Sequence, residues 1–141
     1  MARKRVINVT TATRTLTRNE NDSIVVLDRA AGSTVTLPAA GRGLEFQFVM
    51  KTAGSYVVAC AGTDKMRGVL LNALNNAAQK SFLANPASTV KVETNGTTTG
   101  EKGGAIGGNF TVTCDTDNIW TVQGAVVSGT GAAAETTPFA A

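Results

Sequence analysis

Short runs in which apolar and polar residues alternate recur along this sequence, and they constrain its fold more than any other feature. In one run Phe46 and Phe48 flank Gln47, so both aromatic rings fall on the same face of an extended chain. A period of two is typical of strands that bury one face. Trp120 also falls on the apolar phase of its run, so we predict that Phe46, Phe48 and Trp120 are core residues. The other alternating runs cover residues 33–37, 56–60, 90–93 and 110–114.

Turn-forming residues separate these runs at intervals of about ten residues, the rhythm of a sandwich or barrel. The 15 glycines and a charged fraction of only 16% favour strands joined by tight turns over a helical bundle. The predicted fold is therefore all-β: a small antiparallel β-sandwich or barrel, jelly-roll-like, with an extended N-terminal arm and a loose C-terminal tail.

The predicted organisation is a basic N-terminal arm over residues 1–18, a β domain over 19–128 and a tail over 129–141. Within the β domain, residues 70–83 are read as the end of a strand followed by a loop or one short helix. The glycine-rich stretch 97–108 is read as a loop. The tail has Phe139 as its only large apolar residue, which predicts that it is mobile or held by a neighbouring molecule.

The N-terminal arm carries five basic side chains and no acidic one up to residue 19, which indicates docking to an acidic surface. Its aliphatic residues alternate with polar ones in a way that suits an added strand. In the free protein such an arm has little to pack against, so we predict that it is mobile. A solvated, frayed terminus fits the same pattern. Deleting residues 1–18 is predicted to leave the β domain folded. The candidate contact residues of the arm are Arg3, Lys4, Arg5, Val6, Ile7, Val9, Arg14 and Arg18.

Groups for catalysis are scarce, and we predict that the protein is not an enzyme. The chain has no His, the commonest general base, and its Asp residues lie in or beside turns. Cys60 and Cys114 lack the spacing of a zinc site and are predicted to be free, buried thiols. No catalytic residue, metal or cofactor is predicted. No apolar run is long enough for a membrane helix or a signal peptide, so we expect synthesis in a reducing cytoplasm.

The order of several segments resembles that of tailed-bacteriophage head decoration (capsid cement) proteins. The resemblance covers about residues 20–140 and consists of strand and turn phrases without a catalytic motif. It is carried by SIVVLDRAAGSTVTLPAAGRGL at 23–44, EFQFVMKT at 45–52, MRGVLL at 66–71, NGTTTG at 95–100, and IWTVQG, VSGTG and TTPFA near the end.

This resemblance implies a β-rich homotrimer that sits on the outer capsid surface of the virion and clamps neighbouring copies of the phage major capsid protein. Two other functions stay open. A receptor- or glycan-binding module of a phage tail or fibre would need exposed aromatic residues, for which Tyr56 and Trp120 are the candidates. A single-stranded nucleic-acid binder is disfavoured, because residues 20–141 carry a net charge of about −2 and the chain has few aromatic residues.

Overall fold

The computed structural model describes residues 3–74, 79–96, 100–129, 132 and 134–141. Within these ranges the chain forms twelve strands and a single turn of 3-10 helix at Arg18–Glu20. The strands are β1 Val6–Val9, β2 Thr13–Thr15, β3 Ser23–Leu27, β4 Ser33–Thr36, β5 Glu45–Met50, β6 Tyr56–Ala59, β7 Lys65–Ala73, β8 Lys80–Ala84, β9 Lys91–Glu93, β10 Asn109–Thr116, β11 Ile119–Val127 and β12 Phe139–Ala140.

These strands form two sheets packed face to face, so the predicted all-β sandwich is confirmed. One sheet has the order β1-β3-β5-β10-β11-β7-β8, and the other has the order β12-β9-β6-β4-β2. The prediction of an antiparallel architecture is wrong, because both sheets are mixed. Among the described strands, five pairings are parallel: β1–β3, β3–β5, β7–β11, β2–β4 and β4–β6.

The first six strands alternate between the two sheets, so that the chain winds around the core like a solenoid. β1, β3 and β5 lie parallel in the seven-stranded sheet, and β2, β4 and β6 lie parallel in the five-stranded sheet. Each turn of the chain therefore adds one strand to each sheet. We call β1 and β2 the first rung; β3 and β4 form the second rung, and β5 and β6 the third. Such an arrangement lets neighbouring rungs bury their inward side chains against one another.

The core lies between the sheets, on the apolar phase of each strand. Trp120, Phe46 and Phe48 are 0% exposed, which confirms their prediction as core residues. The ring centroids of Phe46 and Trp120 are 6.1 Å apart, and those of Phe48 and Phe110 are 5.2 Å apart. These separations fall in the range of favourable aromatic pairs.

One strand position admits only glycine. Gly68 lies inside β7 with φ of +118°, a backbone conformation that side chains disfavour. A Cβ atom there would overlap the carbonyl oxygen of Val122, its partner on β11. The two long strands can therefore approach each other this closely only because Gly68 has no side chain.

The N-terminal arm, predicted to be extended and unpacked, instead contributes the first rung of the fold. β1 pairs with β3 and β2 pairs with β4. Ile7, Val9 and Leu16 are buried, with exposed fractions of 8%, 1% and 1%. The prediction of a mobile arm is wrong for these residues, because the outer edges of β3 and β4 provide hydrogen-bond partners close along the chain.

The C-terminal tail also returns to the body of the same molecule. β12 pairs with β9, and Phe139 is 8% exposed in the core. Asn72, which is 0% exposed, donates hydrogen bonds from its side-chain amide to the carbonyl oxygens of Glu101 and Thr136, at 2.7 and 3.1 Å. The expectation of a mobile tail, or one held by a neighbour, is therefore wrong for residues 136–140.

Two predicted irregular segments fall partly outside the described residues. The strand predicted at the start of the first segment is confirmed as part of β7. The loop or short helix predicted to follow it as far as residue 83 is wrong for residues 80–83, which belong to β8. The predicted loop or short helix between them includes residues 75–78, which lie outside the described ranges. Residues 97–99 of the predicted loop 97–108 also lie outside them, and residues 100–108 form turns without a strand or helix.

Candidate functional site

The outer face of the seven-stranded sheet carries a band without charged side chains. Two adjacent rows, each with one residue from every strand, cross the whole sheet at matching register. We call these two rows the uncharged band. From β8 to β1, one row is Leu83, Val69, Gln123, Thr111, Gln47, Ile24 and Val6, and the other is Ser81, Leu71, Ala125, Asn109, Val49, Val26 and Asn8.

Aliphatic side chains are concentrated at the two ends of the uncharged band. Leu83 is 77% exposed and lies opposite Val69, which is 44% exposed. At the other end Val6 is 56% exposed and lies opposite Ile24 on β3. In the middle of the band, four of the six residues on β11, β10 and β5 carry an amide or a hydroxyl group. The Gln47 amide nitrogen donates to the Asn109 side-chain oxygen at 3.1 Å.

Charged residues border the uncharged band on both sides. On one side the Lys4 ammonium lies 2.9 Å from an Asp22 carboxylate oxygen. Its pKa is raised, above all by that hydrogen bond. On the other side Lys51 lies 3.0 Å from Asp28. Depletion of charge at the centre with polar residues at the rim is the composition of a protein–protein interface.

The predicted contact cations are partly neutralised by acidic residues that follow them in the chain. Arg14, half-buried in the first rung, forms a salt bridge with Glu20. Partial burial would raise the pKa of Glu20, but hydrogen bonds from the Thr17 amide and Arg14 lower it below its usual value. Lys4 is paired with Asp22, as described above. The sequence did not reveal these pairings, because the fold was needed to place the acids beside the cations.

The remaining predicted cations, Arg3, Arg5 and Arg18, have no acidic partner among the described residues. Arg5 donates to the Asn19 carbonyl oxygen at 3.3 Å, and Arg18 donates to the Ala39 carbonyl oxygen at 3.2 Å. Arg3 is exposed. The structure thus places these three side chains around the first rung with their charges uncompensated by an ion pair in the described part of the chain.

The three predicted aliphatic contact residues divide between core and surface. Val6 is on the outer face at one end of the uncharged band, whereas Ile7 and Val9 point into the core. The prediction that Ile7 and Val9 contact a partner is wrong for this reason: their exposure would require β1 to leave the sheet. Asn8, which was not predicted, is exposed beside Val6.

The nucleophilic and aromatic side chains are poorly placed for chemistry. Cys60 and Cys114 are free thiols, as predicted, although only Cys114 is fully buried. Burial raises the pKa of the Cys60 thiol to about 12, which keeps it protonated near neutral pH. The sole Trp and the sole Tyr, Trp120 and Tyr56, are 0% and 1% exposed and present no ring to a ligand.

In the described ranges, no group of three or more His, Cys, Asp or Glu side chains is placed to hold a metal ion. No helix in those ranges has the length and apolarity needed to cross a membrane. In comparisons with known proteins, no family model, curated protein or solved structure matches this chain.

Proposed function

We propose that this protein is a structural decoration protein that binds the outer surface of a phage head and stabilises contacts between major capsid proteins. The observation that carries the proposal is the uncharged band. Its seven strands give it a length of about 29 Å at the usual strand spacing of ~4.8 Å. The sequence resemblance to head decoration proteins supplies the identity of the partner.

The dimensions of the band suit the centre of a docking surface. Stable interfaces bury roughly 800 Å² on each partner, which is more than two rows of side chains provide. The charged rows on both sides of the band would therefore form the polar rim around it. A sheet surface of this kind is rigid, so docking would require little ordering of the protein and would cost correspondingly little entropy.

The glycan-binding alternative lacks support in the described part of the chain. Sugar recognition by stacking requires an exposed aromatic ring, and the two candidates predicted from the sequence, Trp120 and Tyr56, are buried. The capsid-binding proposal does not depend on an aromatic platform. An absence of enzymatic activity remains a prediction, and it follows naturally from a cementing role.

As part of this proposal, the protein acts as a homotrimer, as its resemblance to decoration proteins implies. Three linked copies raise the overall affinity well above that of a single contact. Analytical ultracentrifugation of the isolated protein at micromolar concentration should give a mass of three chains, with each chain contributing 14.4 kDa. A single species at the monomer mass, both free and on capsids, would contradict this part of the proposal.

The role of the uncharged band is tested by adding a charge at its centre. Thr111 lies in the middle of one row, between Gln123 and Gln47. In Thr111→Lys, docking would bury an unpaired ammonium group, and the loss of its water would weaken the free energy of binding by about 2–5 kcal/mol. We expect binding to undecorated capsids of the parent phage to weaken by at least about 30-fold. Co-sedimentation over a concentration series measures this affinity.

Thr113→Lys is the matched control for this measurement. Thr113 lies on the same face of the same strand, two residues along, opposite Glu45 in the charged border row. The added ammonium faces that carboxylate and stays on the rim, so the affinity should change by less than about threefold. Equal affinities for the two variants would show that the uncharged band is not the docking surface.

A further inference from the structure

The first rung leaves two sheet edges open at the same end of the sandwich. β1 is the terminal strand of the seven-stranded sheet, and β2 is the terminal strand of the five-stranded sheet. Within the described ranges, no strand pairs with the outer edge of either one. Open edges of this kind are templates for another strand, and folded proteins usually block them.

The backbone of β1 presents a defined set of free groups at this edge. The carbonyl oxygens of Arg5 and Val9 accept hydrogen bonds from Ile24 and Asp28, at 2.8 and 3.1 Å. Since backbone groups alternate in direction along a strand, the N–H and C=O groups of Val6 and Asn8 point away from β3. Both residues are exposed. The edge therefore offers two donors and two acceptors at regular strand spacing.

The β2 edge is less suited to a partner strand. The hydroxyl of Thr11 donates to the carbonyl oxygen of Thr13 at 2.9 Å, which occupies one of the outward acceptors of that strand. β2 is also shorter than β1, with three residues against four. The β1 edge is the better acceptor for an added strand.

The formal net charge of the chain is concentrated around this rung. Residues 3–22 contain five basic and two acidic side chains, a net charge of +3. This equals the net charge of the entire protein, so the rest of the chain is neutral. Because Lys4 and Arg14 are paired with acids, the excess charge corresponds to Arg3, Arg5 and Arg18. A segment that binds here is favoured if it is acidic.

We propose that the outer edge of β1 binds an extended acidic segment of a partner protein, which adds to the seven-stranded sheet as a further strand. This deepens the proposed function and rests on it for the identification of the partner as a capsid protein. Main-chain hydrogen bonds to Val6 and Asn8 would provide register, and the arginines next to the start of β1, Arg3 and Arg5, would select acidic side chains. A nucleic acid is disfavoured, because its phosphates accept hydrogen bonds but leave the outward carbonyl groups without donors.

Asn8→Pro tests strand addition directly. Proline removes the outward N–H of Asn8 and leaves the β1–β3 hydrogen bonds in place, and edge strands tolerate it in this orientation. The variant loses one main-chain hydrogen bond, and its proline ring would clash with the added strand. We therefore expect its affinity for undecorated capsids to fall by at least about tenfold. Asn8→Ala removes the same side chain from the uncharged band but keeps the N–H, so the affinity of Asn8→Pro is compared with that of Asn8→Ala. Equal binding by Asn8→Pro and Asn8→Ala would overturn the proposal.

Amide hydrogen exchange provides a second readout that needs no substitution. The amides of Ile7 and Val9 face β3 and should be protected in the free protein, whereas those of Val6 and Asn8 should exchange quickly. On capsids the Val6 and Asn8 amides should slow by at least about tenfold. Unchanged exchange of both amides in capsid-bound protein would show that no strand is added at this edge.

Isolated probes separate a failure of this inference from a failure of the proposed function. We would compare a fluorescent peptide of alternating Glu and Val, its Lys–Val counterpart and a single-stranded oligonucleotide. The acidic peptide alone should bind, more weakly to Asn8→Pro than to Asn8→Ala. Tighter binding of the oligonucleotide would overturn the choice of partner. If capsid binding is insensitive to Asn8→Pro, strand addition at β1 is contradicted but the proposed decoration function stands. If the acidic peptide binds but capsids do not, the decoration function is contradicted and strand addition stands.

Discussion

A chain that lacks residues 1–18 is expected not to fold, contrary to the prediction made from the sequence alone. The deletion removes both strands of the first rung and the buried side chains of Ile7, Val9 and Leu16. Burial of one such aliphatic side chain contributes about 1.5–3 kcal/mol, so the three together contribute roughly 5–9 kcal/mol. That sum is comparable with the ~5–15 kcal/mol by which whole domains are stable. Urea unfolding followed by far-ultraviolet circular dichroism should show no cooperative transition for residues 19–141.

Deletion of residues 1–4 is the control, because it leaves Arg5 and all of β1 in place. It removes the ion pair between Lys4 and Asp22, which contributes little to stability because both groups are exposed and water screens the attraction. The free energy of unfolding should therefore stay within about 1 kcal/mol of that of the full chain. If residues 19–141 unfold cooperatively at the same urea concentration as the full chain, the first rung is not part of the stable core.

Trp120→Ala is expected to lower the free energy of unfolding by about 3–5 kcal/mol. The side chain is 0% exposed and its ring contacts that of Phe46, so its removal leaves a cavity at the centre of the sandwich. Since it is the sole Trp, the folded protein should emit at short wavelength and shift to longer wavelength on unfolding. Circular dichroism provides the unfolding curve for the variant, which has no Trp emission.

Trp120→Phe is the matched variant for this position. It keeps a ring in the core and removes the indole N–H, which has no hydrogen-bond partner among the described residues. We expect a smaller loss, about 1–2 kcal/mol, because the cavity is smaller and no polar group is left unsatisfied. A Trp120→Ala protein of undiminished stability that fails to bind its ligand would instead place Trp120 in a binding site.

The candidate site was only partly predictable. The sequence shows that basic residues cluster before residue 19, but it did not show that Lys4 and Arg14 are paired with the acidic residues Asp22 and Glu20. The uncharged band was not predicted, because its rows join residues from seven strands that are distant in the chain. Each of these side chains lies on the outward-facing side of its strand. Their alignment across the sheet depends on the register of six strand pairings.

For the alternating runs, the sequence by itself determined that the residues form strands and which side of each strand faces inward. The alternation that places Phe46, Phe48 and Trp120 on apolar phases is a local property, and burial of those phases follows from the hydrophobic effect. Only the tertiary structure decided which strands pair and in which direction. A period of two is the same in parallel and antiparallel strands, and pairing partners are chosen by contacts between residues far apart in the chain. For that reason the sequence pattern of the first rung is that of a free arm, whereas in the structure it is part of the sandwich because β1 pairs with β3 and β2 pairs with β4.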